Sequence, residues 1–143
     1  VVTAFAKTTH YWLEHMWADQ HEAIGILFSQ MAATMPLLEA PVRGYGYNPD
    51  ARSAVSSAIA SKVAGATGLS PTAHDYAGWQ GFDCTNVRAA VWIMRALVAS
   101  NVLSRREGTT VFVPVNPATD PNGDRAGSAL IAVHGFAVKR RLL

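Results

Sequence analysis

The spacing of apolar residues along the chain predicts a helix near the amino end, followed by a loop. Between about residues 11 and 35 the apolar positions recur every three or four residues, which predicts a helix that ends before Pro36. The stretch 36–50 is rich in Pro, Gly and Tyr, and this composition predicts a loop. Three residues of the loop, Arg43, Tyr45 and Tyr47, could stack on a nucleic acid or pack against the helices.

A second helix is predicted over residues 51–66. Asn48 or Asp50 provides a capping side chain at its start, and Gly68 is a natural stop after its end. Ser70 and Pro71 then resemble the cap and first position of another helix. The pattern therefore predicts two consecutive helices before the middle of the chain.

The next segment has the residue types of a helix-turn-helix. Ala77 is small enough for a helix crossing, Gly81 tolerates the positive φ of a turn, and Val87 returns an apolar side chain to the crossing. Asp83 is a candidate N-cap for the second helix of the motif. A plain pair of antiparallel helices is the alternative for these residues.

The second helix of this motif continues to about residue 98 with helical spacing of its apolar residues. The predicted buried stripe consists of Val87, Ala90, Val91, Met94, Leu97 and Val98. The predicted opposite face consists of Thr85, Asn86, Arg88, Ala89, Trp92 and Arg95.

The period then changes from helix to strand. Residues 102–105 and 110–115 flank the polar tip 106–109, and this pattern predicts a hairpin. A competing helix-turn-helix register at 63–73 does not lead into a hairpin, so the later register is preferred. Helix, turn, helix and hairpin in this order is the winged-helix arrangement.

The residues after Gly81 resemble a known superfamily. Residues 86–91 (NVRAAV), 96–108 (ALVASNVLSRREG) and 112–117 (FVPVNP) are similar to the core of the winged-helix superfamily that includes MarR-type regulators. They also resemble RepL-type plasmid replication initiators, in which the wing leads to an Asn-Pro pair, a glycine and a short final helix. Here Asn116 and Pro117 precede Gly123 or Gly127 and an apolar stretch.

The length predicts a single domain over residues 1–143, of which the resemblance covers roughly Ser53 to Pro117. Its expected fold is mainly α with a small β-hairpin wing, a winged helix-turn-helix with an extra N-terminal helix and a C-terminal extension. The helix-turn-helix and wing would occupy about 51–117, and the extension 118–143. Within the extension, the apolar residues 129–138 fit either a strand pair or a helix, and the basic end 139–141 could contact phosphate or remain solvated.

Composition limits the possible functions. The 143 residues are enough for one ordinary domain with a core, and only 15% are charged, which suggests that a partner covers some apolar surface. The formal net charge of +2 and the pI near 8.9 permit nucleic-acid binding without requiring it. No apolar run is long enough for a membrane span and no signal peptide is visible, so the expected location is the cytoplasm.

Candidate chemistry is sparse. Cys84 is the single cysteine. It is either a reactive thiol whose pKa is lowered by the start of a helix, or a small residue beside a helix cap with no special chemistry. His10, His15 and His21 are spaced five and six apart, unlike the ligands of a helical metal site. No nucleophile elbow or glycine-rich phosphate loop is present. We expect no enzyme activity, no metal and no cofactor.

The preferred function is binding of double-stranded DNA, as a replication initiator or transcriptional regulator and as a homodimer that reads two half-sites. Asn86 could pair with adenine and Arg88 with guanine, and the wing would hold phosphates. The expected DNA-binding residues are Thr85, Asn86, Arg88, Trp92, Arg95, Arg105 and Arg106. The alternative is an interaction module without base readout, whose partner contacts Trp92 and the N-terminal helix, because tryptophan is common at interface cores.

Overall fold

The computed structural model describes residues 21–32, 34–42, 48–73 and 76–143. Within these ranges the chain forms four helices and a four-stranded antiparallel sheet. The predictions for residues 1–20, which include the start of the first helix and two of the histidines, lie outside the described residues. The same holds for the loop residues 43–47.

The elements follow one another as α1 (residues 21–32, ending in the π-helical turn Phe28–Ala32), α2 (Pro49–Thr67), β1 (Ser70–Pro71), β2 (Trp79–Asp83), α3 (Val87–Ala99), β3 (Arg105–Glu107), β4 (Thr110–Pro114) and α4 (Asp124–Lys139). The order of the strands in the sheet is β1-β2-β4-β3. Helices α2 and α3 pack on the sheet, and α4 packs on α2 and α3.

Helix α2 begins and ends where the sequence predicts. The Asn48 side chain accepts hydrogen bonds from the backbone N–H groups of Asp50 (2.9 Å) and Ala51 (3.2 Å), and Pro49 occupies the first turn. Gly68 ends the helix in the left-handed conformation, with φ at +77°. Local signals are sufficient for this helix.

The predicted helix-turn-helix is wrong in its first half. Ala77 lies in a turn, and Gly81 lies in the middle of β2, opposite Phe112 of β4. Ser70 and Pro71 form β1 and do not start a helix, which also removes the competing register. The five residues of β2 alternate between the two faces of the sheet, and Gly78, with φ at +82°, separates them from the preceding turn.

A hairpin is present as predicted, but its first strand is Arg105–Glu107 and not 102–105. Glu107 pairs with Thr110, so the tip is Gly108 and Thr109. Val102 lies outside β3 and forms an isolated parallel bridge with Leu38. The bridge attaches the 34–42 segment to the chain that leaves α3.

One face of the sheet supplies the core beneath the helices. The side chains on this inner face are Gln80, Phe82, Val111 and Val113, and all four are buried. Gln80 is polar, and its amide accepts from the Ser56 hydroxyl of α2 at 2.6 Å and donates to the Gly81 carbonyl at 2.9 Å. The opposite, outer face carries Trp79, Gly81, Phe112 and Arg105.

Helix α3 is rotated relative to the prediction. Val87 and Val98, which the sequence places in the core, are 51% and 43% exposed. The buried residues are Ala89, Ala90, Trp92, Ile93, Ala96 and Leu97. The helix has two apolar stripes, and the one containing Trp92 removes more apolar surface from water. The hydrophobic pattern alone does not distinguish between them.

The apolar part of the C-terminal extension forms a helix, and not the strand pair that its sequence pattern also permits. Gly123 adopts a left-handed conformation, with φ at +70°, immediately before α4. Both carboxylate oxygens of Asp120 accept from the first turn, from the N–H groups of Arg125 (3.0 Å) and Ala126 (3.1 Å). Gly135, inside α4, does not interrupt the helix.

Candidate nucleic-acid interface

A tight turn leads the chain from the sheet into α3. Thr85 has φ at +69°, a left-handed conformation that is unusual for a β-branched residue. The Asp83 carboxylate accepts from the Thr85 N–H at 2.9 Å, and the Asn86 side chain accepts from the Ala89 N–H at 2.8 Å. The N-cap of α3 is therefore Asn86, not Asp83 as predicted, and Asp83 instead stabilises the turn before it.

Removal of this cap should destabilise the protein. We expect Asn86→Ala to lower the free energy of unfolding by about 1 kcal/mol, because an N–H in the first turn of α3 loses its acceptor. Asn86→Ser, which retains a capping oxygen, is the control and should stay within about 0.5 kcal/mol of the wild type. Urea unfolding monitored by circular dichroism measures both values. Equal losses in the two variants would contradict the capping role.

The tip of the hairpin lies beside the start of α3. The Cys84 N–H donates to the Thr109 carbonyl at 2.9 Å, which joins the segment entering α3 to the hairpin tip. Arg106 lies opposite Val111 and so projects from the side of β3 that faces the helices, and its guanidinium donates to the Gly108 carbonyl at 2.9 Å. Arg88 is exposed in the first turn of α3.

Four of the predicted DNA-binding residues therefore come together at one end of the fold. We call this surface the α3–tip surface, and it consists of Thr85, Asn86, Arg88 and Arg106. Asp83 lies at its margin and contributes a negative charge.

Arg105 belongs to a different surface, because successive residues of a strand point to opposite faces. It lies opposite Phe112 on the outer face and forms an ion pair with Glu107 at 2.9 Å. Its guanidinium carbon is 5.2 Å from the centroid of the Tyr76 ring and 5.7 Å from that of Trp79. Arg105 and Arg106 are therefore not the one group that the sequence predicts, and the aromatic contacts of Arg105 are not visible in the sequence because they depend on the pairing of distant strands.

The prediction that Trp92 lies on an exposed face is wrong. Its side chain is 1% exposed and stacks on Phe136 of α4, with ring centroids 6.4 Å apart and an interplanar angle of 11°. Arg95, from the same predicted face, is half-buried two turns further along α3 than Arg88. The part of α3 that could enter a DNA groove is thus limited to its first turn.

Of the two interpretations of Cys84, the structure supports a small buried residue and not a reactive thiol. The residue is 3% exposed and precedes the first turn of α3. Burial, together with the neighbouring Asp83 carboxylate, raises the pKa of the thiol to about 11, and a hydrogen bond with the Val111 backbone acts in the opposite direction. The thiol is therefore protonated near neutral pH, and the residue acts as a small core side chain.

In the part of the chain that the structure describes, no group of three or more His, Cys, Asp or Glu side chains is arranged to hold a metal ion. No helix in the described ranges is long and apolar enough to cross a membrane.

Comparison with protein-family models, with curated proteins and with solved structures gives no match. The resemblance to winged-helix regulators therefore rests on the residues of the chain itself. Of the arrangement that it implies, the structure contains α3 followed by the β3–β4 hairpin.

Proposed function

We propose that the protein binds double-stranded DNA through the α3–tip surface, as a replication initiator or transcriptional regulator. The observation that carries this proposal is the hydrogen bond between the Cys84 N–H and the Thr109 carbonyl, 2.9 Å long. It brings the start of a helix and the tip of a hairpin to one edge, as in winged-helix modules, where the helix enters the major groove and the wing follows the backbone. Strand β2 stands in the place of the first helix of the motif.

The charges of the surface suit a phosphate backbone. Arg88 and Arg106 carry two positive charges, and the N-terminus of α3 adds the positive end of a helix dipole. Asp83 offsets one of these charges. We assign Arg88 to a base edge or phosphate and Arg106 to phosphate, because arginine suits both contacts.

The burial of Trp92 also favours this function over the alternative. A tryptophan on the helix face would be unusual in a groove and typical of a protein interface. With its ring in the core, the first turn of α3 presents the small and polar side chains of Thr85, Asn86 and Arg88. These can approach base edges closely.

The test measures affinity for a random-sequence duplex by fluorescence anisotropy at several salt concentrations. The wild type should bind with a salt-dependent affinity, and Arg88→Gln or Arg106→Gln should each reduce the slope of log K against log salt by about 0.9. Arg105→Gln is the matched control, because it removes the same charge from the same strand on the outer face. The control should leave the slope unchanged.

Two results would overturn the proposal. The first is no salt-dependent duplex binding by the wild type even at low ionic strength. The second is an equal loss of slope in Arg105→Gln and Arg106→Gln, which would show that only the net charge matters.

Exposed valines support a second candidate function, that of a protein-interaction module. Val87 and Val98 are 51% and 43% exposed and lie three turns apart on one stripe of α3. Such a stripe suits contact with another protein or with a second copy in a homodimer. Self-association in sedimentation experiments, without salt-dependent binding of duplex, would favour this candidate.

A further inference from the structure

Helices α3 and α4 run antiparallel, and this brings the end of α4 to the start of α3. Arg125 lies in the first turn of α4, and Ser100 is the C-cap of α3. The Arg125 guanidinium donates a hydrogen bond to the Ser100 carbonyl at 3.4 Å, so the start of α4 lies beside the end of α3. Further along, Trp92 of α3 stacks on Phe136 of α4. The two contacts fix both the direction and the register of the pair.

This register places basic residues of both helices at the same end of the pair. Arg88 lies one turn from Trp92, about 6 Å along the axis, toward the start of α3. Arg140 lies one turn from Phe136 toward the end of α4, and its guanidinium carbon is 4.6 Å from the centroid of that ring. Both arginines therefore lie at the same end of the helix pair, on axes about 8–10 Å apart.

Arg140 is part of a continuous basic segment. Lys139, Arg140 and Arg141 are consecutive, and all three are exposed. In the parts of the chain that the structure describes, none of them forms an ion pair. Glu22 of α1 lines a cleft with Arg140 and offsets part of the charge.

We infer that Lys139, Arg140 and Arg141 form a phosphate-binding extension of the α3–tip surface. The ligand of this extension is the phosphate backbone of the same DNA duplex, next to the segment that α3 is proposed to contact. Charge complementarity supports it, because three exposed cations face the same end of the fold as Arg88 and Arg106, and of the described carboxylates Glu22 lines the cleft beside them. The inference rests on the proposed function and adds a contact that this function does not require.

The basic segment also has a structural role that an experiment must separate from binding. Cations at the last turn of a helix interact favourably with its negative end, and Arg140 additionally stacks on Phe136. Variants are therefore confined to Lys139 and Arg141, and the stacked Arg140 is left in place.

The experiment compares two double variants that lose the same charge. Lys139→Gln/Arg141→Gln removes two cations from the proposed extension. Arg52→Gln/Lys62→Gln removes two from α2; Lys62 pairs with Asp124 at the start of α4, the end remote from the extension. Anisotropy titrations of a random duplex between 50 and 200 mM salt give the slope of log K against log salt for each protein.

The extension variant is expected to lose about 1.8 from the magnitude of the slope, which corresponds to two phosphate contacts. The α2 variant should keep the wild-type slope, and thermal unfolding should confirm that both variants are folded at the assay temperature. A duplex-binding wild type whose slope is unchanged in the extension variant would overturn the inference and leave the proposed function standing. Absence of duplex binding by the wild type would instead remove the proposed function.

A second experiment, with lipid vesicles, tests whether the basic segment binds the DNA backbone or a membrane surface that carries phosphate groups. Vesicles of phosphatidylcholine with phosphatidylserine carry anionic headgroups at comparable charge density. We expect the extension variant and the wild type to behave alike toward these vesicles. Loss of vesicle binding in the extension variant, without a change in duplex slope, would assign the segment to a membrane surface and overturn the inference.

Discussion

Replacing Trp92 with alanine is expected to lower the free energy of unfolding by about 3–5 kcal/mol, because it removes the largest fully buried side chain of the described core. The loss combines the transfer of the ring to water with the cavity left between α3 and α4. Phe136, which stacks on the indole, would lose its partner as well. Urea unfolding of both proteins measures the difference.

Trp92→Phe is the control for this result. The indole Nε1 has no hydrogen-bond partner among the described residues, so phenylalanine removes volume without breaking a hydrogen bond. We expect it to cost less than half as much as alanine. If alanine changed the stability by less than about 1 kcal/mol and abolished partner binding, Trp92 would be a surface residue, as the sequence suggested.

Replacing Gly81 with alanine should be the second most damaging change, with an expected loss of about 3 kcal/mol from overpacking. A Cβ at this position would overlap the Thr72 hydroxyl and lie 2.9 Å from Phe112 Cε1. The Thr72 backbone N–H donates to the Gly81 carbonyl at 2.9 Å, which holds the two chains together, and Phe112 is buried. Thermal or urea unfolding measures the loss.

A second substitution tests whether Gly81 is required because its neighbours leave no room for a Cβ or because it forms a turn. The Thr72 hydroxyl is buried without a partner among the described residues, so Thr72→Ala should cost little on its own and should recover part of the stability of Gly81→Ala. Gly65→Ala, in α2 with open space around it, is the positive control and should stabilise by about 0.5–1 kcal/mol. If Gly81 were the turn of a helix-turn-helix, Thr72→Ala would give no recovery.

Elements with strong local signals were predictable from the sequence. Helix α2 has a capping asparagine before it and a left-handed glycine after it, and both act as expected. The second strand and the glycine of the β3–β4 hairpin follow from the apolar run after Gly108, whereas the first strand forms at Arg105–Glu107 and not at the apolar run before it. The start of α1 and the loop around Tyr45 lie outside the described residues, so those predictions stay untested.

Elements that depend on distant partners were not predictable. For β2, Gly81 and Asp83 have the residue types of a turn and a helix cap, and only the pairing with β1 and β4 shows that they belong to a strand. For α3, two apolar stripes compete, and the position of α4 determines which one is buried.

The candidate site shows the same division between local and distant information. Thr85, Asn86 and Arg88 are neighbours in sequence, so their grouping follows from helix geometry. Arg106 joins them and Arg105 does not, because the register of β3 on β4 sends the two side chains to opposite faces. The basic end of α4 was visible as a charge run, but its place beside α3 depends on the Trp92–Phe136 stack.

The pairing of β2 with β4 also has a consequence for the order of folding. The two strands are separated along the chain by the whole of α3 and β3, so their pairing closes a long loop, whereas the β3–β4 hairpin is local. The bond between Cys84 and Thr109 lies at the end of this long-range ladder and forms only when the ladder closes. An excised peptide of α3 and the hairpin would lack β2, and with it the strand that holds the turn at Thr85 against the tip. The α3–tip surface is therefore a property of the cooperatively folded chain, and the duplex affinity proposed for it should disappear together with the folded population during denaturation.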